Sequence, residues 1–182
     1  MNRKYEFTGE EKLFYGRTLK RIKAKISFGN VVQGEVGGWI EKEENLSEYD
    51  DAWVYGNAEV CGNAKVYGNA KVCGDAEVCG NAEVYGNAKV YGNAEVCGDA
   101  EVCGDAWVIK TRHTISFTKV GSRNDTLTAF RTKTGFSIKI GCFLGSLELF
   151  LEKVQETHGD NQFAKEYRLI AEVIKARFEV EE

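Results

Sequence analysis

The sequence lacks any long hydrophobic run, which argues against a membrane-spanning helix and against a secretory signal peptide. No stretch of the 182 residues approaches the roughly 20 consecutive apolar residues that a membrane-spanning helix needs. The first residues also lack the apolar core of a secretory signal peptide. We therefore expect a cytoplasmic protein that has no membrane partner.

Histidine is also scarce, because the chain has only His113 and His158 and none between Ala52 and Val108. Six cysteines are present, but five occupy a repeat position that otherwise holds tyrosine. We interpret these five as surface variants of one column and as reduced thiols. Zinc ligands are arranged as a tetrahedron and not along a line, so we expect no metal and no other cofactor.

A six-residue repeat, Ala-x-Val-[Tyr/Cys]-Gly-[Asn/Asp], fills the centre of the chain. Side chains alternate along a strand, so a two-residue hairpin would force apolar and charged positions onto the same face. A solenoid that turns at each Gly-[Asn/Asp] avoids this conflict, with Ala and Val inward and the other two positions outward. The repeat is marked by ten valines: Val54, Val60, Val66, Val72, Val78, Val84, Val90, Val96, Val102 and Val108.

Residues 51–108 resemble the hexapeptide-repeat family, whose fold is a left-handed parallel β-helix with 18 residues in each triangular coil. The left hand is implied by this resemblance alone. We therefore predict a mainly β protein with about three coils in residues 51–109. Residues 1–50 are predicted to form an N-terminal β cap, and residues 110–182 a C-terminal α+β domain.

Segments 4–7, 37–43 and 121–125 resemble a group of phage- and prophage-borne proteins that are built around such repeats. The resemblance implies that the protein belongs to a phage or prophage and acts inside a bacterial host. It implies no particular biochemical activity.

After Val108 the pattern changes to that of a small α+β domain. Residues 114–120, 126–132 and 136–140 are predicted strands, and the last two are joined by a hairpin at Thr134-Gly135. Ser146 is a predicted helix cap and Gly159 a helix stop. A second helix is predicted from Asp160 or Asn161 to about Phe178.

With 18 residues in each coil, the outward positions fall into three faces. One face stacks carboxylates beside thiols, and like charges about 5 Å apart favour a cation or a basic partner. Another face combines tryptophan, tyrosine and lysine, which are typical of binding surfaces. The candidate partner-binding residues are Glu59, Glu77, Glu95, Cys61, Cys79 and Cys97 on the acidic face, and Trp53, Tyr55, Lys71, Lys89, Tyr91 and Trp107 on the aromatic face. For the acidic face, the alternative is a solvated glutamate ladder beside thiols that simply pack. For the aromatic face, it is ordinary cross-strand stacking, with Trp53 and Trp107 of the first and last repeats packed against the caps.

Residues 51–108 carry nine acidic side chains against three lysines, which disfavours direct binding of nucleic acid through the repeats. Basic residues concentrate instead in a predicted strand over residues 19–28, where apolar and basic positions alternate. Candidate anion-binding residues are Arg17, Lys20, Arg21, Lys23 and Lys25 near this strand, and Arg123 and Arg131 in the C-terminal domain. A solvated strand edge protected by lysines is the alternative.

The hexapeptide fold also resembles acyltransferases that use a histidine, but the coils contain no histidine to act as general base. We therefore assign no catalytic residue. The groups that an enzyme would have to use all lie in the C-terminal domain: His113, Arg123, Asp125, Arg131, Cys142, His158 and Tyr167.

The sequence thus favours a non-enzymatic binding or scaffold protein that presents its acidic and aromatic faces to a host protein, for example to inhibit a host defence factor. The alternative is capture of a phosphate-bearing small molecule, such as a nucleotide, by the basic strand and the Arg123 loop. An acyltransferase is the third and disfavoured interpretation. A homo-oligomer is expected from the exposed tyrosine columns and from the habits of the fold.

Overall fold

The computed structural model describes residues 2–179 and shows a mainly β protein. A β-solenoid of about four turns forms its centre, and a four-stranded sheet with two helices follows. The chain enters the solenoid through three antiparallel strands: β1 Tyr5–Phe14, β2 Arg17–Ala24 and β3 Val36–Ile40.

The solenoid is built from short strands that pair in parallel with the strand one coil away. Three parallel ladders result, and equivalent valines such as Val60, Val78 and Val96 stack in register. The strands are β4 Trp53–Val54, β5 Glu59–Val60, β6 Lys65–Val66, β7 Lys71–Val72, β8 Glu77–Val78, β9 Glu83–Val84, β10 Lys89–Asn93, β11 Glu95–Val96, β12 Glu101–Val102 and β13 Trp107–Lys110.

The corners explain why each repeat ends in Gly-[Asn/Asp]. Gly86 has φ +68°, and a Cβ atom there would lie 2.9 Å from the backbone nitrogen of Gly104 in the next coil. Side-chain amides at the following position join successive coils, since Asn63 Nδ2 donates to Asn81 (3.2 Å) and Asn81 Nδ2 donates to Asp99 (2.8 Å). The corner residues therefore supply both the backbone conformation and a polar ladder.

The first coil begins before the regular repeat. Ile40 at the end of β3 pairs with Val60, and Leu46 forms a bridge with Val66. Between them Asn45 is fully buried and donates to the carbonyl oxygens of Gly62 and Ala64. This irregular coil makes the solenoid longer than the three coils that the valine repeat predicts.

The N-terminal end is capped by aromatic side chains, and Trp53 is one of them. Its side chain is fully buried, with its ring 5.4 Å from that of Phe28 and 6.1 Å from that of Tyr5. The prediction that Trp53 belongs to an exposed aromatic face is therefore wrong, and the alternative that it packs against a cap is confirmed. The predicted strand 19–28 also ends early, at Ala24, and the side chain of Ile26 is about half exposed.

The C-terminal domain has the predicted pattern with one added strand. It comprises β14 Thr114–Val120, β15 Asp125–Thr132, β16 Gly135–Ile140, β17 Phe143–Gly145, α1 Leu147–His158 and α2 Gln162–Glu179. Ser146 accepts a hydrogen bond from the Leu149 amide, and Gly159 ends α1, so both predicted helix signals are confirmed. β17, which is only three residues long, was not predicted.

Strand β15 closes the last coil. Thr132 bridges to Ala106, the Thr128 hydroxyl accepts from the Glu101 amide, and Phe130 is buried in the solenoid core. The rest of the C-terminal domain has a core of its own, in which α1 and α2 pack on the sheet. Strand β15 therefore contributes to two separate cores, with Phe130 in that of the solenoid and Leu127 and Ala129 in that of the C-terminal domain.

Candidate functional site

The C-terminal domain contains a cavity of about 230 Å³ between its sheet, its β14–β15 turn and α1. We call it the C-terminal cavity. Apolar side chains of the sheet and of α1 form one wall, namely Ile140, Phe143, Phe150 and Val154. Polar side chains from distant parts of the chain complete it: Ser122, Arg123, Asp125, Cys142, Lys153, Thr157, His158 and Tyr167. Such a combination of apolar wall and converging polar groups is typical of a small-molecule site.

Tyr167 of α2 fixes the β14–β15 turn against the helices. A Cβ atom on Gly121 would lie 1.7 Å from the Tyr167 hydroxyl oxygen, so only glycine fits there. The Gly121 amide donates to the Glu166 carboxylate (3.0 Å), and the Ser122 amide hydrogen-bonds the Tyr167 hydroxyl. The turn that carries Arg123 is therefore fixed to α2 by two hydrogen bonds.

The charges around the cavity are of both signs. Arg123 is exposed and makes no ion pair within residues 2–179, whereas the Lys153 ammonium pairs with Glu156 (2.6 Å). The Asp125 carboxylate accepts from the Thr126 amide (2.9 Å). Burial, followed by the nearby charges of Glu166 and Asp125, raises the pKa of Tyr167, so its hydroxyl stays protonated at neutral pH. Arg123 is thus the cation available to a ligand.

His158 ends α1 at the cavity wall. Its ring lies 5.7 Å from that of Tyr167 and 6.0 Å from that of Phe163, and the residue is half-buried. Cys142 is an exposed free thiol that also borders the cavity. The sequence identified both residues individually, and the tertiary structure brings them to one cavity.

His113 and Arg131 lie elsewhere. The His113 Nδ1 atom accepts from the Ile109 amide (3.4 Å) at the end of the last coil. Arg131 donates to the carbonyl oxygen of Phe178 (3.0 Å) and lies over the Phe178 ring. His113 therefore supports the junction with the last coil, and Arg131 supports the contact of β15 with α2.

The basic residues of the N-terminal segment are largely occupied by neighbouring groups. Arg17 pairs with Glu41 (3.0 Å), and Lys25 donates to the carbonyl oxygen of Asn2 (2.8 Å). Lys20 lies over the ring of Phe7 and Arg21 over that of Trp39, while Lys23 is exposed. These contacts argue against an anion site. The alternative of a solvated edge strand is also wrong, because β2 pairs with β1 on one side and with β3 on the other.

The basic strand and the Arg123 turn lie at opposite ends of the solenoid, since β2 precedes the first coil and β15 closes the last. They therefore do not form one site for a small molecule. The sequence could not show this, because alternation and charge give no information on the distance between the two ends.

Glu59, Glu77 and Glu95 stack in register on β5, β8 and β11, and we call them the carboxylate column. Glu59 forms an ion pair with Lys12 of β1, whereas Glu77 and Glu95 pair with no cation within residues 2–179. Burial and the flanking carboxylates raise the pKa of Glu77, against the effect of Lys12. The column is therefore only partly neutralised by the protein itself.

The thiol column beside it differs from the prediction. Cys79 and Cys97 form a disulfide between adjacent coils, with their Cα atoms 4.7 Å apart, so the expectation that all cysteines are reduced thiols is wrong for this pair. The parallel register brings equivalent side chains to bonding distance. Cys61 is a free cysteine and, contrary to its predicted exposure, it is buried. Burial raises the pKa of the Cys61 thiol.

The predicted aromatic face is present only toward the last coil of the solenoid. Lys71, Lys89 and Trp107 stack in register below the buried Trp53, and the Tyr91 ring lies edge-on to that of Trp107 at 5.1 Å. Tyr55 packs against the core and is half-buried. Lys133, which was not predicted, joins this face from the β15–β16 hairpin, with its ammonium 4.9 Å from the Trp107 ring centroid.

Sequence reasoning also missed Lys153, Thr157 and Phe143 as cavity residues. The helical spacing of Leu147, Phe150, Leu151 and Val154 in the sequence predicts an apolar stripe on α1. The burial of Phe150 and Val154 confirms it. No sequence signal distinguishes a residue that borders a cavity from one that closes a core, because the difference depends on packing across the sheet.

Comparison with protein families and with curated proteins gave no match to this chain. Within the described residues 2–179, no group of three or more side chains is arranged to hold a metal ion. The same part of the chain has no helix that is long and apolar enough to cross a membrane.

Proposed function

We propose that the protein is a non-enzymatic ligand-binding protein, whose C-terminal cavity captures a small molecule with a planar apolar part and a phosphate group, such as a nucleotide. The supporting observation is the convergence of Arg123, Asp125 and Tyr167 on one cavity with an apolar wall. The free guanidinium of Arg123 suits the phosphate, since planar N–H donors bind oxyanions in two parallel hydrogen bonds. Asp125 suits a hydroxyl or amino donor of the same ligand.

The test is calorimetric titration with a panel of nucleoside mono-, di- and triphosphates, with inorganic phosphate as the comparison. At least one nucleotide should bind more tightly than phosphate, because the apolar wall contributes only to the larger ligand. Arg123→Gln should weaken that binding about tenfold, the usual effect of losing a charge-assisted hydrogen bond. Arg3→Gln, at the other end of the molecule, is the matched control.

A second variant separates the cavity from its charge. Thr157 is exposed on α1 at the cavity, so Thr157→Trp should block access without changing a charge or a core residue. Binding that survives both Thr157→Trp and Arg123→Gln would contradict the proposal, as would a wild-type protein that binds none of the nucleotides.

The second candidate function is capture of a basic host protein by the carboxylate column, as expected for an antagonist of a host defence factor. It is supported by Glu77, whose pKa is raised first by burial and then by Glu59 and Glu95, and which forms no ion pair within residues 2–179. Glu77→Lys with Glu95→Lys should abolish recovery of such a partner from a host lysate, whereas Glu156→Lys on α1 should not. Equal recovery by both variants would exclude the column.

Within this proposal, the solenoid is a left-handed hexapeptide helix from a phage or prophage, and it acts in the host cytoplasm as a homo-oligomeric scaffold. The support is the regular repeat together with the resemblance of segments 37–43 and 121–125 to phage-borne proteins. Neither acyl transfer nor another reaction is proposed, because the coils supply no general base.

A further inference from the structure

A groove of about 480 Å³ lies where the last coil meets the C-terminal domain, and we call it the junction groove. The coil contributes Asn87, Lys89, Asp105 and Trp107, and the β15–β16 hairpin contributes Lys133 and Thr134. The bridge between Ala106 and Thr132 fixes the hairpin to the coil. The groove is therefore formed between the solenoid and the C-terminal domain, at the point where this bridge joins them.

Two lysine ammonium groups converge in this groove on one indole ring. The Lys89 and Lys133 nitrogens each lie 4.9 Å from the centroid of the Trp107 ring, so they are separated by at most twice that distance. Lys71 stacks on Lys89 from the coil above. Cation–π contacts stabilise each ammonium, but they do not neutralise its charge.

None of these lysines is neutralised by a carboxylate of the described chain. Lys71, Lys89 and Lys133 form no ion pair with any residue between 2 and 179, although the protein has a net charge of −4 and excess acid in its repeats. Asp105 borders the groove, but its carboxylate accepts from the Asn87 amide (3.4 Å) and lies beyond ion-pair distance of both ammonium groups. Like charges held together in this way repel unless an anion lies between them.

We infer that the junction groove is a second ligand site and binds a phosphate dianion between Lys89 and Lys133. A phosphate offers three or four acceptor oxygens, which matches two ammonium groups on either side and the Thr134 hydroxyl at the hairpin. The Trp107 ring forms the apolar floor and reports on occupancy. The phosphate is either free or carried by an organic molecule.

The site is independent of the C-terminal cavity, because the two share no lining residue. Arg123→Gln therefore serves as a control that leaves the junction groove unchanged. Loss of nucleotide binding at the cavity and loss of phosphate binding at the groove can thus be observed separately.

The experiment follows the indole N–H resonances of Trp39, Trp53 and Trp107 by NMR, with Trp107→Phe to assign the signal. Inorganic phosphate and ribose 5-phosphate are titrated in turn at constant ionic strength, with chloride as the balancing anion. Trp107 should shift and saturate, while the signals of Trp39 and buried Trp53 stay in place. Tighter binding of ribose 5-phosphate would identify an organic phosphate as the ligand, and equal binding would identify the free anion.

Charge variants give the decisive comparison. Lys133→Gln, in an exposed hairpin turn, and Lys89→Gln should each weaken binding about tenfold. Asp105→Asn should tighten it severalfold, because it removes the only carboxylate that borders the groove in the described chain. Arg123→Gln should have no effect.

Three results would overturn the inference. The first is a Trp107 signal that moves with neither phosphate, and the second is the same shift produced by chloride alone. Alternatively, Lys133→Gln, Lys89→Gln and Asp105→Asn all bind as the wild type does, which would mean that the ammonium pair contributes nothing to recognition.

Discussion

The solenoid and the C-terminal domain have hydrophobic cores of different composition. The solenoid core repeats two small residues, so that Ala76 and Val78 have the same environment as Ala94 and Val96 one coil away. The C-terminal core is instead assembled from large side chains of different shapes, among them Phe150, Tyr167 and Phe178. The C-terminal cavity, which Arg123 and His158 border, lies against this irregular core.

The two regions therefore present function differently. In the solenoid, side chains such as Glu77 and Lys89 form ladders whose spacing is set by the strands, at about 4.8 Å. In the C-terminal domain, single residues from separate elements converge on one point. Ladders suit extended partners, and a convergent cavity suits a small ligand. Strand β15 contacts both regions, since the Thr128 hydroxyl accepts from the Glu101 amide of the last coil and Leu127 lies in the C-terminal core.

The largest expected effect is at Phe130, the side chain that β15 places in the solenoid core. Phe130→Ala should lower the free energy of unfolding by about 3–5 kcal/mol, because it leaves a large cavity at the end of the solenoid. Tryptophan fluorescence follows the solenoid and its N-terminal cap, since all three tryptophans lie there, while circular dichroism at 222 nm follows α1 and α2. In urea, the two signals should coincide in the wild type and separate in the variant.

Phe117→Ala on β14 is the matched control, since Phe117 contacts the C-terminal core alone. It should shift the helical signal more than the fluorescence signal. If Phe130→Ala costs less than about 1 kcal/mol and both signals still coincide, the two cores are not coupled through this residue.

The next effect tests the corners of the solenoid. Gly56 and Gly86 occur in the same Tyr-Gly-Asn context with φ +60° and +68°, but an added Cβ would lie 3.7 Å from Gly74 in the first case and 2.9 Å from the Gly104 backbone in the second. Gly56→Ala should cost about 1 kcal/mol for the left-handed backbone. Gly86→Ala should cost about 2–4 kcal/mol, because the coils must also move apart. Thermal unfolding of the pair measures the difference, and equal losses would show that coil spacing is not limiting.

The smallest effect concerns the carboxylate column. Glu77→Gln should stabilise the protein at neutral pH by a few tenths of a kcal/mol, since it removes repulsion from Glu59 and Glu95. Glu59→Gln should not stabilise it, because Glu59 has Lys12 as a partner. Urea unfolding in low and high salt checks both, and the gain at Glu77 should shrink as salt screens the charges.

The sign of the pH dependence follows from the direction of the shift. Because the pKa of Glu77 is raised in the folded state, the folded protein retains a proton at pH values where the unfolded chain has lost it. Stability therefore falls as pH rises from the unfolded value of about 4.3 through the raised value. The stabilising effect of Glu77→Gln should disappear below that window, and a gain that persists at lower pH would have to come from another cause.

The sequence predicted more of the solenoid than of the C-terminal domain, because a repeat determines contacts between neighbouring coils whereas the C-terminal cavity depends on contacts between residues far apart in the chain. In the repeat, the period alone identified the inward valines, the corners and the stacking of Glu59 on Glu77, since each coil is a copy of the last. It failed at Trp53 and Cys79, where the cap or a neighbouring coil changes the environment. In the C-terminal domain, the caps at Ser146 and Gly159 and the inward residues of α1 were predictable because helix signals are local.

The sequence by itself determined the solenoid, its register and the absence of a histidine from its coils, because a short repeat encodes contacts between neighbouring copies. Only the tertiary structure decided that Arg123, His158 and Tyr167 border one cavity and that Lys133 meets Lys89 over Trp107. Those contacts join residues far apart in the chain, and they depend on how β15 closes the last coil around Phe130. Local periodicity carries no information on such a closure, since it is selected by packing between two cores.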